Sequence, residues 1–146
     1  MGATDNSEEG FSRPNASGSR RRTVLVIDDE PALAAMIGRM LEDEFEVEVA
    51  PGGREALALI GRDGPRFDVI LCDLMMPTLT GAQVFELARE VAPGIEGRFA
   101  FMTGGVFTPW AATFLTKCRR PCLDKPFSYD ALREMVRGIC AHGGGD

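Results

Sequence analysis

Short apolar runs alternate five times with longer amphipathic segments along this chain. The apolar runs have the length and the β-branched content of buried strands, and the segments between them have helical periodicity. Strands that alternate with helices pair in parallel through right-handed crossovers, with helices on both faces of the sheet. The predicted strands are 23–28, 45–49, 67–72, 98–102 and 121–124. The sequence therefore predicts an α/β doubly wound fold with a five-stranded parallel sheet and five helices.

The predicted helices carry start signals and apolar stripes. Pro31 suits a first helical turn, and Thr108 and Ser128 are placed to cap the last two helices. Alternation with glutamates predicts that strand 45–49 lies near an edge. The residues expected to face the core are Leu33, Met36, Ile37, Met40 and Leu41; Ala56, Leu57, Leu59 and Ile60; Val84, Leu87, Ala88 and Val91; and Leu132, Met135, Val136, Ile139 and Cys140. On the fourth helix, Trp110, Ala111, Phe114 and Leu115 follow Pro109.

Polar residues stand where four of the strands end. Asp73 closes the apolar run 67–72, and a Pro-marked turn follows it. Asp28 and Asp29 end the first strand, Thr103 the fourth, and Lys125 follows the fifth. Because functional groups gather at the carboxyl ends of parallel strands, we expect these side chains to meet at one rim of the sheet.

This combination of groups suits phosphoryl transfer. Three carboxylates at one rim repel one another and need a cation, and Mg2+ prefers oxygen ligands. Lys125 offers a fixed positive charge and Thr103 a hydroxyl for phosphoryl oxygens, while Gly104 leaves room and an N–H. Asp73 can then attack phosphorus to give an acyl phosphate.

Composition narrows the class of protein. The net charge is −6, and residues 1–22 contribute +1 to it, so the remainder carries −7 and is unsuited to binding nucleic acid. No apolar run is long enough for a membrane span and the polar N-terminus is no signal peptide, so we expect a cytoplasmic protein. The four cysteines lack metal-site spacing, and the lone His142 suggests no catalytic triad.

Residues 1–22 are predicted to be a disordered arm or linker, 23–141 the folded domain and 142–146 a flexible tail.

The chain resembles the receiver domains of two-component response regulators. The matching pieces are 26–31, 72–77 with Gly81 after it, 102–104 and 125–127, which together span nearly the whole predicted domain. The resemblance implies a flavodoxin-like fold with strand order 2-1-3-4-5. It also implies Mg2+-dependent transfer of a phosphoryl group from a histidine kinase or a histidine phosphotransfer protein to Asp73.

The resemblance assigns a role to each site residue. Asp29, Asp73 and the backbone carbonyl of Met75 would bind Mg2+ directly, and Asp28 mainly through water. Thr103 would be the switch hydroxyl, with Gly104 beside it, and Lys125 the phosphate partner in a cis peptide bond to Pro126. The domain would be a switch that phosphorylates itself and slowly loses its phosphoryl group, not a conventional enzyme.

One position departs from the family pattern. Members usually carry an aromatic residue three positions before the lysine, and here that residue is Cys122. The switch would then use another group, such as Trp110 or Phe107, or its output would be muted. Protein targets are expected to bind the last two helices and the strand between them, with Trp110, Phe114 and Tyr129 as candidate contacts.

Several alternatives remain open on the sequence alone. The chain is either a single-domain regulator or a receiver like those at the C-terminal end of hybrid sensor kinases, and it is a monomer or weak dimer. A degenerate receiver would bind partners without accepting phosphate. A phosphatase with an aspartyl-phosphate intermediate typically has a second Asp where Met75 stands, and a nucleotide or flavin carrier would need a glycine-rich phosphate loop.

Overall fold

Five short parallel strands form the centre of the molecule. The computed structural model describes residues 21–104 and 108–142. Its strands are β1 (Thr23–Ile27), β2 (Glu46–Ala50), β3 (Val69–Asp73), β4 (Phe99–Thr103) and β5 (Cys122–Asp124). They form one sheet in the order β2-β1-β3-β4-β5, with every neighbouring pair parallel. The predicted flavodoxin-like topology is confirmed.

Helices cover both faces of this sheet. They are α1 (Pro31–Leu41), α2 (Gly53–Asp63), α3 (Gly81–Val91), α4 (Pro109–Cys118) and α5 (Tyr129–His142), with 3-10 turns at Gly64–Arg66 and Ile95–Arg98. α1 and α5 pack against Val24 and Val26, while α2, α3 and α4 pack on the face that carries Leu25 and Ile27. Because successive strand residues point to opposite faces, a strand covered on both sides is apolar throughout.

Both predicted helix caps are present. The Thr108 hydroxyl accepts a hydrogen bond from the Ala111 amide at 3.3 Å, and the Ser128 hydroxyl accepts one from the Ala131 amide at 3.0 Å. Each cap satisfies one of the amide groups that the first helical turn leaves without a partner. The two helices therefore begin where their sequence signals indicate.

Two predicted helix stripes are wrong in part. Met36 on α1 and Leu87 and Val91 on α3 are exposed, although periodicity predicted that they face the core. On α3 the buried large side chain is Phe85, whose ring lies 5.1 Å from that of Phe99. An apolar arc wider than the contact surface leaves its outer members in solvent, and the packing partners decide which members those are.

The edge position of β2 is confirmed, and its apolar face is covered only in part. Val49 is 43% exposed. The groove beside it is lined by Ala34, Ala35 and Gly38 of α1. Val47 packs against the core on this side, whereas Val49 remains open to solvent.

Arginine side chains donate hydrogen bonds to backbone carbonyl groups near the amino ends of the strands. Arg98 donates to the carbonyl of Phe67 at 2.8 Å, and Arg120 donates to the carbonyls of Phe99 and Gly97, each at 2.8 Å. Arg21 donates to the carbonyl of Phe45 at 2.9 Å. These hydrogen bonds satisfy carbonyl groups that the strands and turns leave without a partner.

The predicted arm and tail fall mostly beyond the described ranges. Residues 1–20 and 143–146 lie outside them, so disorder there stays a prediction. Of the predicted arm, Arg22 contacts the domain through an ion pair with Asp68 at 3.6 Å. Within the described ranges, no helix has the length and apolarity that a membrane crossing demands.

Candidate functional site

Three aspartates meet at the carboxyl end of the sheet, as predicted. Asp28 and Asp29 follow β1, Asp73 ends β3, and one oxygen of each lies within 4.8 Å of the others. Asp28 and Asp73 are buried, and Asp29 is exposed. The Glu30 amide donates to Asp28 Oδ1 at 2.9 Å, and the Met75 amide donates to Asp73 Oδ1 at 3.2 Å. Each buried carboxylate is therefore oriented by the amide two residues after it.

Lys125 joins this cluster from the far side of β4. Its Nζ lies 3.3 Å from Asp73 Oδ2 and 3.5 Å from Asp28 Oδ2, and the Lys125–Pro126 peptide is cis, as expected. Burial raises the pKa of the Asp73 carboxyl above its usual 3.8, with Lys125 opposing the rise and Asp28 adding to it. One ammonium group thus serves two carboxylates and only partly offsets the cost of burying Asp73.

The donor set fits a hard divalent cation. Three carboxylates contribute closely placed oxygens, the ligand type that Mg2+ prefers. They open into a cleft of about 430 Å³ lined by Asp29, Glu30, Asp73, Met75, Gly104 and Lys125. The cleft has room for the ion, for water ligands and for a phosphoryl group. Glu30 was not among the predicted site residues, although it directly follows the Asp28–Asp29 pair.

Thr103 lies at the site, but its hydroxyl is bonded elsewhere. The residue is buried at the end of β4, and its carbonyl accepts a hydrogen bond from the Lys125 amide at 2.7 Å. Its hydroxyl donates to Asp124 Oδ1 at 3.0 Å. The sequence analysis did not identify Asp124, because only the pairing of β4 with β5 reveals that it stands opposite Thr103.

Two glycines border the site in different ways. A Cβ built at Gly104 would meet no atom within 4 Å, so the space beside it belongs to the open cleft. A Cβ at Gly81 would lie 2.5 Å from the Asp73 carbonyl oxygen and 2.8 Å from Leu74 Cα. The start of α3 thus approaches the backbone of Asp73 as closely as only glycine permits.

Cys122 occupies the position where an aromatic residue was expected. It pairs with Phe101 across β4 and β5 and is half-buried. Burial raises the pKa of its thiol, and a hydrogen bond with the Thr103 side chain opposes the rise. The thiol therefore lies beside the predicted switch residue. Phe107, one suggested substitute for the missing ring, lies outside the described residues.

The three candidate output residues differ in their surroundings. Trp110 is 41% exposed and Tyr129 39% exposed, with the Arg133 guanidinium 4.8 Å from the centroid of the Tyr129 ring. Phe114 instead packs its ring 5.3 Å from that of Phe101 and 5.6 Å from that of Phe85. Phe114 therefore contributes to the core, and Trp110 and Tyr129 are the two available at the surface.

The comparisons with known proteins point to the same family as the resemblance seen in the sequence. The family model described as the response regulator receiver domain matches residues 24–137. Among solved structures, the chemotaxis protein CheY4 of Vibrio cholerae is similar to this chain with a TM-score of 0.71 and 28% identity. That likeness covers 82% of this chain and 98% of CheY4.

The curated relatives are longer proteins. The transcriptional regulatory protein TrcR of Mycobacterium tuberculosis is 35% identical over 125 residues, which cover 85% of this chain and 47% of TrcR. The sensor kinase CckA of Brucella abortus is 29% identical over 116 residues, which cover 79% of this chain and 12% of CckA. The chain thus spans under half of the length of these relatives, and both a transcriptional regulator and a sensor kinase contain a similar segment.

Proposed function

The chain belongs to the response regulator receiver domain family, and from this premise we propose that it accepts a phosphoryl group on Asp73 from a histidine kinase or a histidine phosphotransfer protein. The observation that carries the proposal is the position of Lys125 Nζ, 3.3 Å from Asp73 Oδ2, beside three clustered carboxylates. A buried carboxylate that has an ammonium group and a cation site next to it is equipped to hold a transferred phosphoryl group.

The reaction exchanges one bond to phosphorus for another. A carboxylate oxygen of Asp73 attacks phosphorus as the bond to the imidazole nitrogen of phosphohistidine breaks, and the leaving imidazole keeps the bonding electrons. The product is an acyl phosphate on Asp73. Lys125, already between Asp73 and Asp28, pairs with a phosphoryl oxygen. The Met75 amide holds the other carboxylate oxygen and so fixes which oxygen faces the cleft.

Asp28, Asp29, Asp73 and the carbonyl of Met75 would hold Mg2+. When bound, the ion supplies positive charge against the phosphoryl oxygens and neutralises the carboxylates. Its binding is favoured because three carboxylates lie together with a single ammonium group. Thr103, Gly104 and Lys125 then contact the phosphoryl group, and the change is passed to a protein target through the surface that includes Trp110 and Tyr129.

Intact mass spectrometry after incubation with acetyl phosphate and Mg2+ tests this function. We expect a single added phosphoryl group, absent without Mg2+ and absent in Asp73→Ala. The control is Asp130→Ala, which removes an exposed aspartate in the first turn of α5 and should keep the modification. An unmodified wild-type protein would instead support a degenerate receiver that binds partners without phosphate.

A further inference from the structure

The hydroxyl of Thr103 is already engaged in the structure, by a residue with no role in the proposed transfer. Thr103 and Asp124 are register partners at the ends of β4 and β5, so their side chains project from the same face of the sheet. The hydroxyl donates to Asp124 Oδ1 at 3.0 Å. Thr103 is buried and Asp124 is exposed. A buried donor thus reaches a carboxylate that is otherwise open to water.

This bond competes with the bond required by the proposed function. A threonine hydroxyl has one proton to donate. While the proton is given to Asp124, it is not available to a phosphoryl oxygen on Asp73. The Thr103 backbone is held by the Lys125 amide at 2.7 Å. Exchange of the two acceptors therefore requires the Thr103 side chain to leave Asp124.

We propose that Asp124 is a positioning residue that holds the Thr103 hydroxyl in the resting orientation. By doing so, Asp124 sets how much of the phosphoryl-binding free energy is needed to switch the domain. The inference rests on the proposed function, which supplies the competing acceptor. A ligand at Asp73 shifts the domain only by the difference between its affinities for the two Thr103 orientations. Removing the Asp124 carboxylate leaves the Cys122 thiol as the weaker partner of the Thr103 hydroxyl. The resting orientation should then be less favoured, and a phosphoryl mimic should bind more tightly.

The exposure of Asp124 limits the size of this effect. A carboxylate that faces water regains hydrogen bonds from water when Thr103 leaves it, so breaking the bond costs less than it would in the core. A reversible switch needs such a modest bond, since a fully buried one would lock the hydroxyl. We therefore expect a change of about three- to tenfold in affinity rather than several orders of magnitude.

The test measures the dissociation constant of beryllofluoride, a phosphoryl mimic, with Mg2+ by isothermal titration calorimetry of the full chain. Asp124→Ala should bind about three- to tenfold more tightly than the wild type, and Asp124→Asn, which keeps an oxygen acceptor, should change less. In a Thr103→Val background, Asp124→Ala should have no effect. Glu90→Ala, which removes an exposed carboxylate on α3, should match the wild type.

Two results would overturn the inference. One is an unchanged dissociation constant in Asp124→Ala. The other is an equal change with and without the Thr103 hydroxyl, which would mean that Asp124 acts only by repelling the anion. A wild-type protein that does not bind beryllofluoride would instead contradict the proposed function.

A second measurement tests Asp124 without any ligand. Three-bond scalar couplings report the side-chain rotamer of Thr103 in solution. One rotamer is expected in the wild type and an averaged population in Asp124→Ala. An averaged population already present in the wild type would overturn the inference, whether or not the phosphoryl mimic binds.

Discussion

Lys125 Nζ lies 3.3 Å from Asp73 Oδ2, although the two residues come from the ends of strands that β4 separates. The same nitrogen lies 3.5 Å from Asp28 Oδ2. With Asp29 included, three carboxylates face one ammonium group, and the remaining negative charge matches the charge of a divalent cation. Lys125 therefore weakens the binding of the cation by repulsion, whereas both positive charges favour the binding of a phosphoryl group.

Replacing Lys125 should separate these two effects. In Lys125→Gln we expect Mg2+ to bind several-fold more tightly, because a repelling positive charge is gone. The rate of phosphoryl acceptance should fall about 100-fold, because a charge that stabilises the transferred group is lost. Calorimetry measures the first quantity and intact mass spectrometry the second. The chain's other lysine, the exposed Lys117, gives the control variant Lys117→Gln, which should leave both unchanged.

Asp73→Asn should stabilise the fold when Mg2+ is absent. Burial raises the pKa of Asp73 above its usual 3.8, so the ionised carboxylate costs folding free energy at neutral pH. That cost is relieved as pH falls through the raised pKa. The variant should therefore have the higher melting temperature at pH 7, and the advantage should disappear below about pH 3.8. Added Mg2+ should stabilise the wild type more than the variant. A variant that is less stable at pH 7 without Mg2+ would contradict this account.

Gly81→Ala should destabilise the domain. The new Cβ would lie 2.5 Å from the Asp73 carbonyl oxygen, so α3 or the backbone after β3 must move. A cost of about 1–3 kcal/mol is expected from such overpacking. Gly61→Ala, on α2 with no atom within 4 Å of its Cβ, should instead stabilise by about 0.5–1 kcal/mol. Urea unfolding of both variants measures the difference, and similar free energies of unfolding would refute the close approach.

Glu44 links the loop after α1 to α5. It accepts hydrogen bonds from Arg137 Nη2 at 2.7 Å and Nε at 2.9 Å, and it also pairs with Arg133. These arginines lower its pKa from 4.5 to about 2. The stabilisation should be complete above pH 4.5 and be lost as pH falls towards 2, where the carboxylate takes up a proton. Glu44→Gln should thus be less stable than the wild type at pH 7 and approach it near pH 2, whereas the exposed Glu42→Gln should match it throughout.

The sequence was sufficient to predict that these side chains meet, because each residue ends or directly follows a strand. An apolar run fixes where a strand ends, and parallel strands place those ends at one rim, so Asp28, Asp73 and Lys125 could be grouped without knowing any distance. The partner of the Thr103 hydroxyl could not be predicted in this way. It depends on the register between β4 and β5, and no local pattern specifies that register.

The helix faces were predictable only to within their width. Val84 and Ala88 were assigned correctly to the core, but Phe85 displaces Leu87 and Val91 from it. The cause lies in other elements: Phe99 and Phe101 of β4 and Phe114 of α4 form the ring cluster that receives Phe85. Helical periodicity indicates which side of α3 is apolar. The aromatic partners of Phe85 decide which residues on that side are buried.

The shortness of β5 has a consequence for how this domain fluctuates. It is an edge strand of three residues, held to β4 alone within the sheet, and Asp124 and Lys125 stand at its end. Edge segments with few buried contacts undergo local opening at a lower free energy than the global unfolding transition. We therefore expect the amides of 122–125 to exchange with solvent deuterium faster than those of β1 or β3. Phosphoryl binding engages Lys125 and should therefore slow that exchange. The occupancy of the site would then change how readily β5 separates from β4.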